Sequence, residues 1–362
     1  MARVVIALDS FKGTASATVA AAAIARGWAS VRPDDSIVEL PMADGGEGTL
    51  DAFAAAMPGA VRMPMGVIGP DDRTVAAAWL MLPDGTAVIE LAQASGLTLL
   101  DPLLPFDAHT YGFGQLIAAA VDAGATSLIL AVGGSSSTDG GAGALAALGA
   151  ELLDASGVEI PLGNRGLASL ERADLGTART APLSVVVLCD VVNPLLGPDG
   201  AAAVFGPQKG AMPADIPVLD ANLAHFAAVI SGDPMFPGAG AAGGTAFGML
   251  AWGAELRSGA EEIATRSGLD AAIRSADLVI TGEGRFDSQS ASGKIPHHIA
   301  TLAAELGVAS ALVAGLIEAP TNQFSDAVSL TDLAGSSATA RSAAEHWLEQ
   351  AGAALAERFR SE

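Results

Sequence analysis

Short apolar runs alternate with alanine-rich segments of helical period along almost the whole chain, and this alternation constrains the fold most. Val4–Leu8, Ile37–Met42, Ser127–Val132, Ser184–Cys189, Leu278–Thr281 and Ala311–Val313 read as buried strands, with a short strand near Ala327–Leu330. Ala15–Ala29, Thr49–Ala56, Tyr111–Ala123, Ala142–Leu148, Ala214–Val229, Ala260–Arg274, Ile295–Leu306 and Ala338–Arg358 read as helices, the first capped by Thr14 or Ser16. Continuous apolar runs suit strands covered on both faces, and strand–helix alternation packs as a parallel sheet under helices. The turn Pro83-Asp84-Gly85 between Thr74–Leu82 and Ala87–Leu91 marks a hairpin, so a β-rich insertion begins near residue 70. The expected architecture is therefore α/β with two α/β domains. Residues 1–70 plus 260–362 form one, discontinuous in sequence. Residues 71–259 form the other, inserted and partly β-rich, with the active site in the cleft between them.

Composition narrows the class of partner. The 362 residues carry Lys+Arg 18 against Asp+Glu 40, a net charge of −22, which repels nucleic acid and anionic membranes at long range. A small anionic ligand needs only a local positive pocket. Hydrophobic residues reach 51%, enough for a large core, but Asp122, Gly124 and Ser127 break the longest apolar stretch, Leu116–Val132. Val4–Leu8 ends at Asp9, too short for the core of a signal peptide. A single cysteine, Cys189, excludes an internal disulfide and reads as a small packed hydrophobe. The expectation is a soluble, cytoplasmic protein, monomer or homodimer.

Five expected strands run into loops that carry a carboxylate: Asp9 to Gly13, Asp44 to Gly48, Gly133 to Gly141, Asp190 to Asn193, and Gly282 to Asp287. Ligands of open α/β sheets bind outside the carboxyl ends of strands, and glycine there permits close backbone approach. Lysine occurs only at Lys12, Lys209 and Lys294, each beside a glycine (Gly13, Gly210, Gly293), a placement suited to an anionic ligand. Gly133–Gly141, with its small hydroxyls and a helix to follow, has the makings of a phosphate cradle, though no Lys-Ser/Thr ends it as in a Walker A loop. Gly238–Gly243 matches a dinucleotide fingerprint by letters but follows no clear strand. His297-His298 has no third ligand at metal spacing and reads as a helix turn.

At these residues the sequence resembles the bacterial glycerate kinase family of the glyoxylate/galactarate-pathway type. The matching segments are Ala7–Gly13, Pro41–Thr49, Gly133–Ser135 with Asp139–Gly143, Cys189–Val191 with Asn193–Leu195, Phe205–Gly210, Pro237–Gly244, and Thr281–Arg285 with Asp287. The resemblance implies a flavodoxin-like domain of parallel sheet and ATP-dependent phosphorylation of D-glycerate with Mg²⁺, 2-phosphoglycerate being favoured over 3-phosphoglycerate. Residue chemistry then assigns roles. Asp190, with Asp44 second, would accept the hydroxyl proton. Lys12 and Arg285 complete the catalytic set. Ser10, Lys12, Gly45, Gly46 and Glu47 would bind the substrate. Gly133, Gly134, Ser135, Ser136, Asp139, Lys209 and Lys294 would hold the phosphates of ATP, and Asp190, Glu283 and Asp287 the metal. The competing readings are a Mg²⁺-dependent phosphatase or other phosphotransferase, and a non-catalytic organic-acid sensor.

Overall fold

A computed structural model describes residues 1–288 and 294–360. Among these the strands are β1 (Arg3–Leu8), β2 (Ser36–Glu39), β3 (Val61–Ile68), β4 (Thr74–Met81), β5 (Thr86–Glu90), β6 (Ser127–Ala131), β7 (Glu151–Leu153), β8 (Arg172–Asp174), β9 (Ser184–Leu188), β10 (Glu255–Arg257), β11 (Leu278–Phe286), β12 (Ala309–Ile317) and β13 (Asp326–Ser329). The chain divides into two compact units. One comprises Met1–Asp44, Asp51–Pro58 and the chain from Ala260 on; the other comprises Gly45–Leu50 and Gly59–Gly259.

The first unit is built on a five-stranded sheet in the order β13-β12-β11-β1-β2, every pair parallel. Ranked along the unit, the order is the 2-1-3-4-5 of flavodoxin-like folds. Only Arg3 of β1 is exposed, as a central strand covered on both faces requires. Val4, Ile6 and Leu8 share a core with Ile24 and Trp28 of the helix Ala17–Val31 and Leu348 and Leu355 of the helix Ala344–Arg358. Ser16 caps the first helix, its hydroxyl accepting from the Val19 N–H at 3.2 Å. The two helices approach so closely that a Cβ on Gly27 would stand 1.9 Å from the Glu349 carbonyl. Phe286, Ala300, Leu312, Ala314 and Phe324 form a separate cluster in the same unit.

The second unit carries a mixed six-stranded sheet, β10-β9-β6-β5-β4-β3, and a small β7-β8 pair. β4 runs antiparallel to both β3 and β5, whereas β5, β6, β9 and β10 run parallel. Its core gathers Trp79, Phe113, Leu130, Val187, Phe226 and Phe247.

Several elements differ from the sequence reading. The stretch expected as a loop after Thr281 continues β11 to Phe286, paired with a β12 longer than Ala311–Val313. Glycine makes this possible: a Cβ on Gly282 would stand 1.8 Å from the Val313 carbonyl. β3 precedes the expected hairpin; Pro64 and Gly66 disguise it, and as an edge strand it tolerates both. Gly268, at φ +70°, splits the expected helix Ala260–Arg274 into Gly259–Ser267 and Leu269–Arg274. The expected helix Ala338–Arg358 is two helices, Ser337–Ser342 and Ala344–Arg358.

Candidate active site

Strand order in the first unit reverses between β1 and β11, the switch point at which doubly wound sheets bind ligands. A cavity of about 370 Å³ lies there, lined by residues past the end of β1, by β11 and β12, and by the segment after β13. Asp9 follows β1 directly, 7% exposed, and its Oδ1 accepts from the Ser10 N–H at 2.6 Å. Burial pushes the Asp9 carboxyl up to about 7. The charges of Asp44 and Glu283 add to this; the Ser10 N–H and Lys12 oppose it. The loop beyond is closed on itself, Phe11 N–H donating to the Ala15 carbonyl at 2.8 Å while the buried Phe11 ring anchors it.

The expected residues Ser10, Lys12, Asp44, Glu283, Arg285, Asp287 and Lys294 all line this cavity. Lys12 Nζ stands 3.7 Å from Asp44 Oδ2, and Lys294 Nζ 3.7 Å from Glu283 Oε2. Arg285 reaches Glu318 at 2.5 Å and Asp287 at 4.0 Å. Gly293, the neighbour of Lys294 in sequence, lies outside the described residues. Sequence reasoning passed over Asp9 as a site residue, although its place directly after the most apolar strand was a usable signal. Thr331, Ser337 and Arg341 also line the cavity and gave no signal, because nothing in the helical tail distinguishes them.

The remaining expected residues belong to the second unit. Gly133 N–H donates to the Gly45 carbonyl at 3.0 Å, and a Cβ on Gly133 would stand 2.5 Å from Gly46 Cα. Gly134, at φ +75°, is exposed beside Glu47; a Cβ there would lie 3.2 Å from Glu47 Oε1. The Ser136 hydroxyl donates to the Ser95 carbonyl at 2.8 Å, and that of Ser135 lies 3.2 Å from the Ala242 carbonyl. Asp139 is fully buried. Its Oδ2 accepts from the Thr110 N–H at 2.9 Å, the Thr110 hydroxyl at 2.8 Å and the Gly143 N–H at 3.2 Å; its Oδ1 accepts from the Gly141 N–H at 3.1 Å. The amides at the start of the helix Ala142–Leu148 are thus served by the chain's own carboxylate. Lys209 is buried too, 2% exposed, its Nζ on the Ser137 carbonyl. Burial pushes the Lys209 ammonium down to about 7, with Asp139 pulling the other way. Gly238–Gly243 braces this loop rather than opening a helix after a strand: Gly140 N–H donates to the Gly243 carbonyl at 3.1 Å. Asp190 follows β9 and Cys189, accepts from the Gly259 N–H at 3.1 Å, and does not line the cavity of the first unit. Burial pushes the Cys189 thiol up, as for a packed side chain rather than a nucleophile.

A flavodoxin-like sheet with lysines, arginines and carboxylates gathered over its switch point defines a class: α/β proteins that handle a small anionic ligand at the sheet's carboxyl edge. A model of the glycerate kinase family matches residues 4–360. The chain is 45% identical to the glycerate 2-kinase of Escherichia coli K12 over 329 residues, covering 86% of this chain and 85% of that one. It is also 45% identical to the glycerate kinase of Bacillus subtilis 168, covering 88% and 86%. The crystal structure assigned as glycerate kinase 2 of Salmonella typhimurium LT2 matches with a TM-score of 0.86 at 38% identity, over 99% of this chain and 98% of that one. The chain belongs to the glycerate kinase family, and it is an enzyme of the phosphotransferase class. No helix among the described residues is long and apolar enough to cross a membrane.

Proposed function

We propose that this chain transfers the γ-phosphoryl group of ATP to D-glycerate, giving 2-phosphoglycerate and ADP. The observation that carries the reading is the first unit's cavity, where cations and carboxylates share one wall over the switch point in a chain of this family. The hydroxyl oxygen attacks the γ-phosphorus, the bond to the bridging oxygen of ADP breaks, and the hydroxyl proton passes to a carboxylate. Such transfer needs positioning and charge neutralisation more than covalent chemistry. Lys12, Arg285 and Lys294 supply positive charge along the wall. Asp9 is our choice of proton acceptor, being buried in the cavity and poised near neutrality, where a general base works best. Asp44 and Asp190 are the other candidates. In the second unit, the Gly133-Gly134 turn, exposed at Gly134 beside Glu47, is the part of its loop that would meet phosphate.

The donor set suits Mg²⁺, which takes one or two carboxylates, keeps several waters and completes its shell with phosphate oxygens. Glu283 and Asp287 would hold it; among the described residues no group of three or more His, Cys, Asp or Glu forms a closed cage. Bound there, the ion would neutralise charge on the phosphates.

A coupled ADP-release assay with MgATP and D-glycerate, set against L-glycerate, glycerol and no acceptor, tests the reading. ADP release with D-glycerate alone is the expected result, and phosphorus NMR then identifies the product isomer. Release without acceptor would make the chain a hydrolase. No release, with glycerate still raising the melting temperature, would make it an organic-acid-binding protein.

A further inference from the structure

Four cations line the first unit's cavity, and three of them face carboxylates: Lys12 faces Asp44, Lys294 faces Glu283, and Arg285 faces Glu318. Arg341 is the exception. It is exposed on the helix Ser337–Ser342, and among the described residues it has no carboxylate within 4.0 Å and no hydrogen-bond partner. Three arginines elsewhere in this acidic chain show the usual arrangement: Arg26 meets Glu345 at 2.6 Å, Arg165 meets Asp107 at 2.7 Å, and Arg179 meets Asp122 at 2.9 Å. Its mount is firm. Ala340, 4% exposed, packs in one core with Phe11 and Leu8, and the Ser336 hydroxyl caps the helix by accepting from the Thr339 N–H at 3.1 Å. Thr331 and Ser337 stand on the same wall, and the Thr331 hydroxyl is already turned onto the Gly315 carbonyl at 2.7 Å.

A guanidinium presents a planar fork that matches two oxygens of a carboxylate or phosphate. In a chain of net charge −22 an anion is repelled at range, so binding depends on local positive charge that internal carboxylates have not cancelled. We propose that Arg341 is the anion anchor of this cavity, taking a substrate oxyanion in a two-pronged contact. This rests on the phosphotransfer reading above, which offers two sources of that chemistry: the carboxylate of the acceptor and a phosphate of the nucleotide.

Titration calorimetry on the full chain decides it, with wild type, Arg341→Ala and Arg341→Lys, and D-glycerate, MgADP and pyrophosphate as separate probes. Melting temperature should not change, since the side chain is exposed and without partners. Arg341→Ala should weaken one class of probe about ten- to hundredfold, the size expected for charge-assisted hydrogen bonds, and Arg341→Lys should fall between. Loss for D-glycerate alone assigns the acceptor carboxylate. Loss for MgADP and pyrophosphate assigns the nucleotide. Unchanged affinity for every probe overturns the proposal, and so does a wild type that binds none of them. A wild type that binds pyrophosphate but releases no ADP with glycerate sinks the functional reading alone; the pyrophosphate comparison then still decides Arg341.

Discussion

Asp139→Asn probes how the loop after β6 is held. The carboxylate serves four donors from full burial: Thr110 through its N–H and its hydroxyl, Gly141, and Gly143. An asparagine can keep the three contacts of Oδ2 only by turning its NH₂ onto the Gly141 N–H. That loses one charge-assisted bond, sets donor against donor, and deprives buried Lys209 of its nearby negative charge. Bonds to charged groups are worth about 1.5–3 kcal/mol and a stranded buried charge about as much again, so the loss should be about 3–6 kcal/mol. At about 2–4 °C per kcal/mol for a unit of this size, melting falls by roughly 6–24 °C. Urea unfolding followed by circular dichroism measures it. Lys209→Met should cost less in the Asp139→Asn background than alone, by about 1–3 kcal/mol of coupling. A loss under about 1 kcal/mol, together with a tenfold weaker affinity for ATP, would mean that the carboxylate faces a ligand instead, and the reasoning fails.

Other outcomes follow from the same geometry. Asp9→Asn should lower kcat by about 10²-fold or more, and wild-type kcat/KM should climb with pH through about 7, as Asp9 must lose its proton to act. The folded chain keeps that proton to about 7 whereas the unfolded chain loses it near 3.8, so ionising Asp9 costs stability as pH rises between them; Asp9→Asn should therefore melt higher than wild type at pH 8, by a margin that shrinks toward pH 4. Lys209 has the opposite slope: unfolded it holds its proton to 10.5, folded it releases it near 7, so its contribution to stability rises with pH across that window, and Lys209→Met should flatten the rise in a pH series of urea midpoints. Gly133→Ala sets a Cβ 2.5 Å from Gly46 Cα and should cost about 1–3 kcal/mol in urea unfolding. Asp190→Asn turnover within about tenfold of wild type would remove Asp190 from the candidates for proton acceptor.

The α/β class was legible because β1, β6 and β9 are unbroken apolar runs, and the β4–β5 hairpin because its turn is Pro-Asp-Gly. β3 was not, since an edge strand needs neither a continuous apolar run nor every N–H, and Pro64 looks like a break. The extension of β11 was hidden for the converse reason: Gly282 and Gly284 read as loop, yet Gly282 stands where the Val313 backbone leaves no room for a side chain. At the site, Lys12, Asp44, Glu283, Arg285 and Asp287 could be gathered from strand ends alone, and Lys294 from being one of three lysines, each beside a glycine. Lys209 and Asp139 could not be told from them by letters, because a glycine-flanked lysine or a loop aspartate reads the same whether it faces ligand or core. Arg341 was invisible because what sets it apart from the cavity's other cations is the lack of a carboxylate partner among the described residues, which only three dimensions reveal.

The first unit is stitched from the two ends of the chain: β1 pairs with β11, and the helix Ala17–Val31 lies against the helix Ala344–Arg358 through Gly27 and Gly352. On a ribosome this imposes a timetable. The opening segment emerges with Val4, Ile6, Leu8 and Trp28 uncovered and must wait for β11 and the helix Ala344–Arg358, roughly 250 to 310 residues further on, which at about 5–20 residues per second is on the order of ten to sixty seconds. The second unit has all its strands from β3 to β10 in hand before that wait ends. The cavity with Asp9 and Arg341 comes into being last, because its lining runs from Asp9 to Ala344.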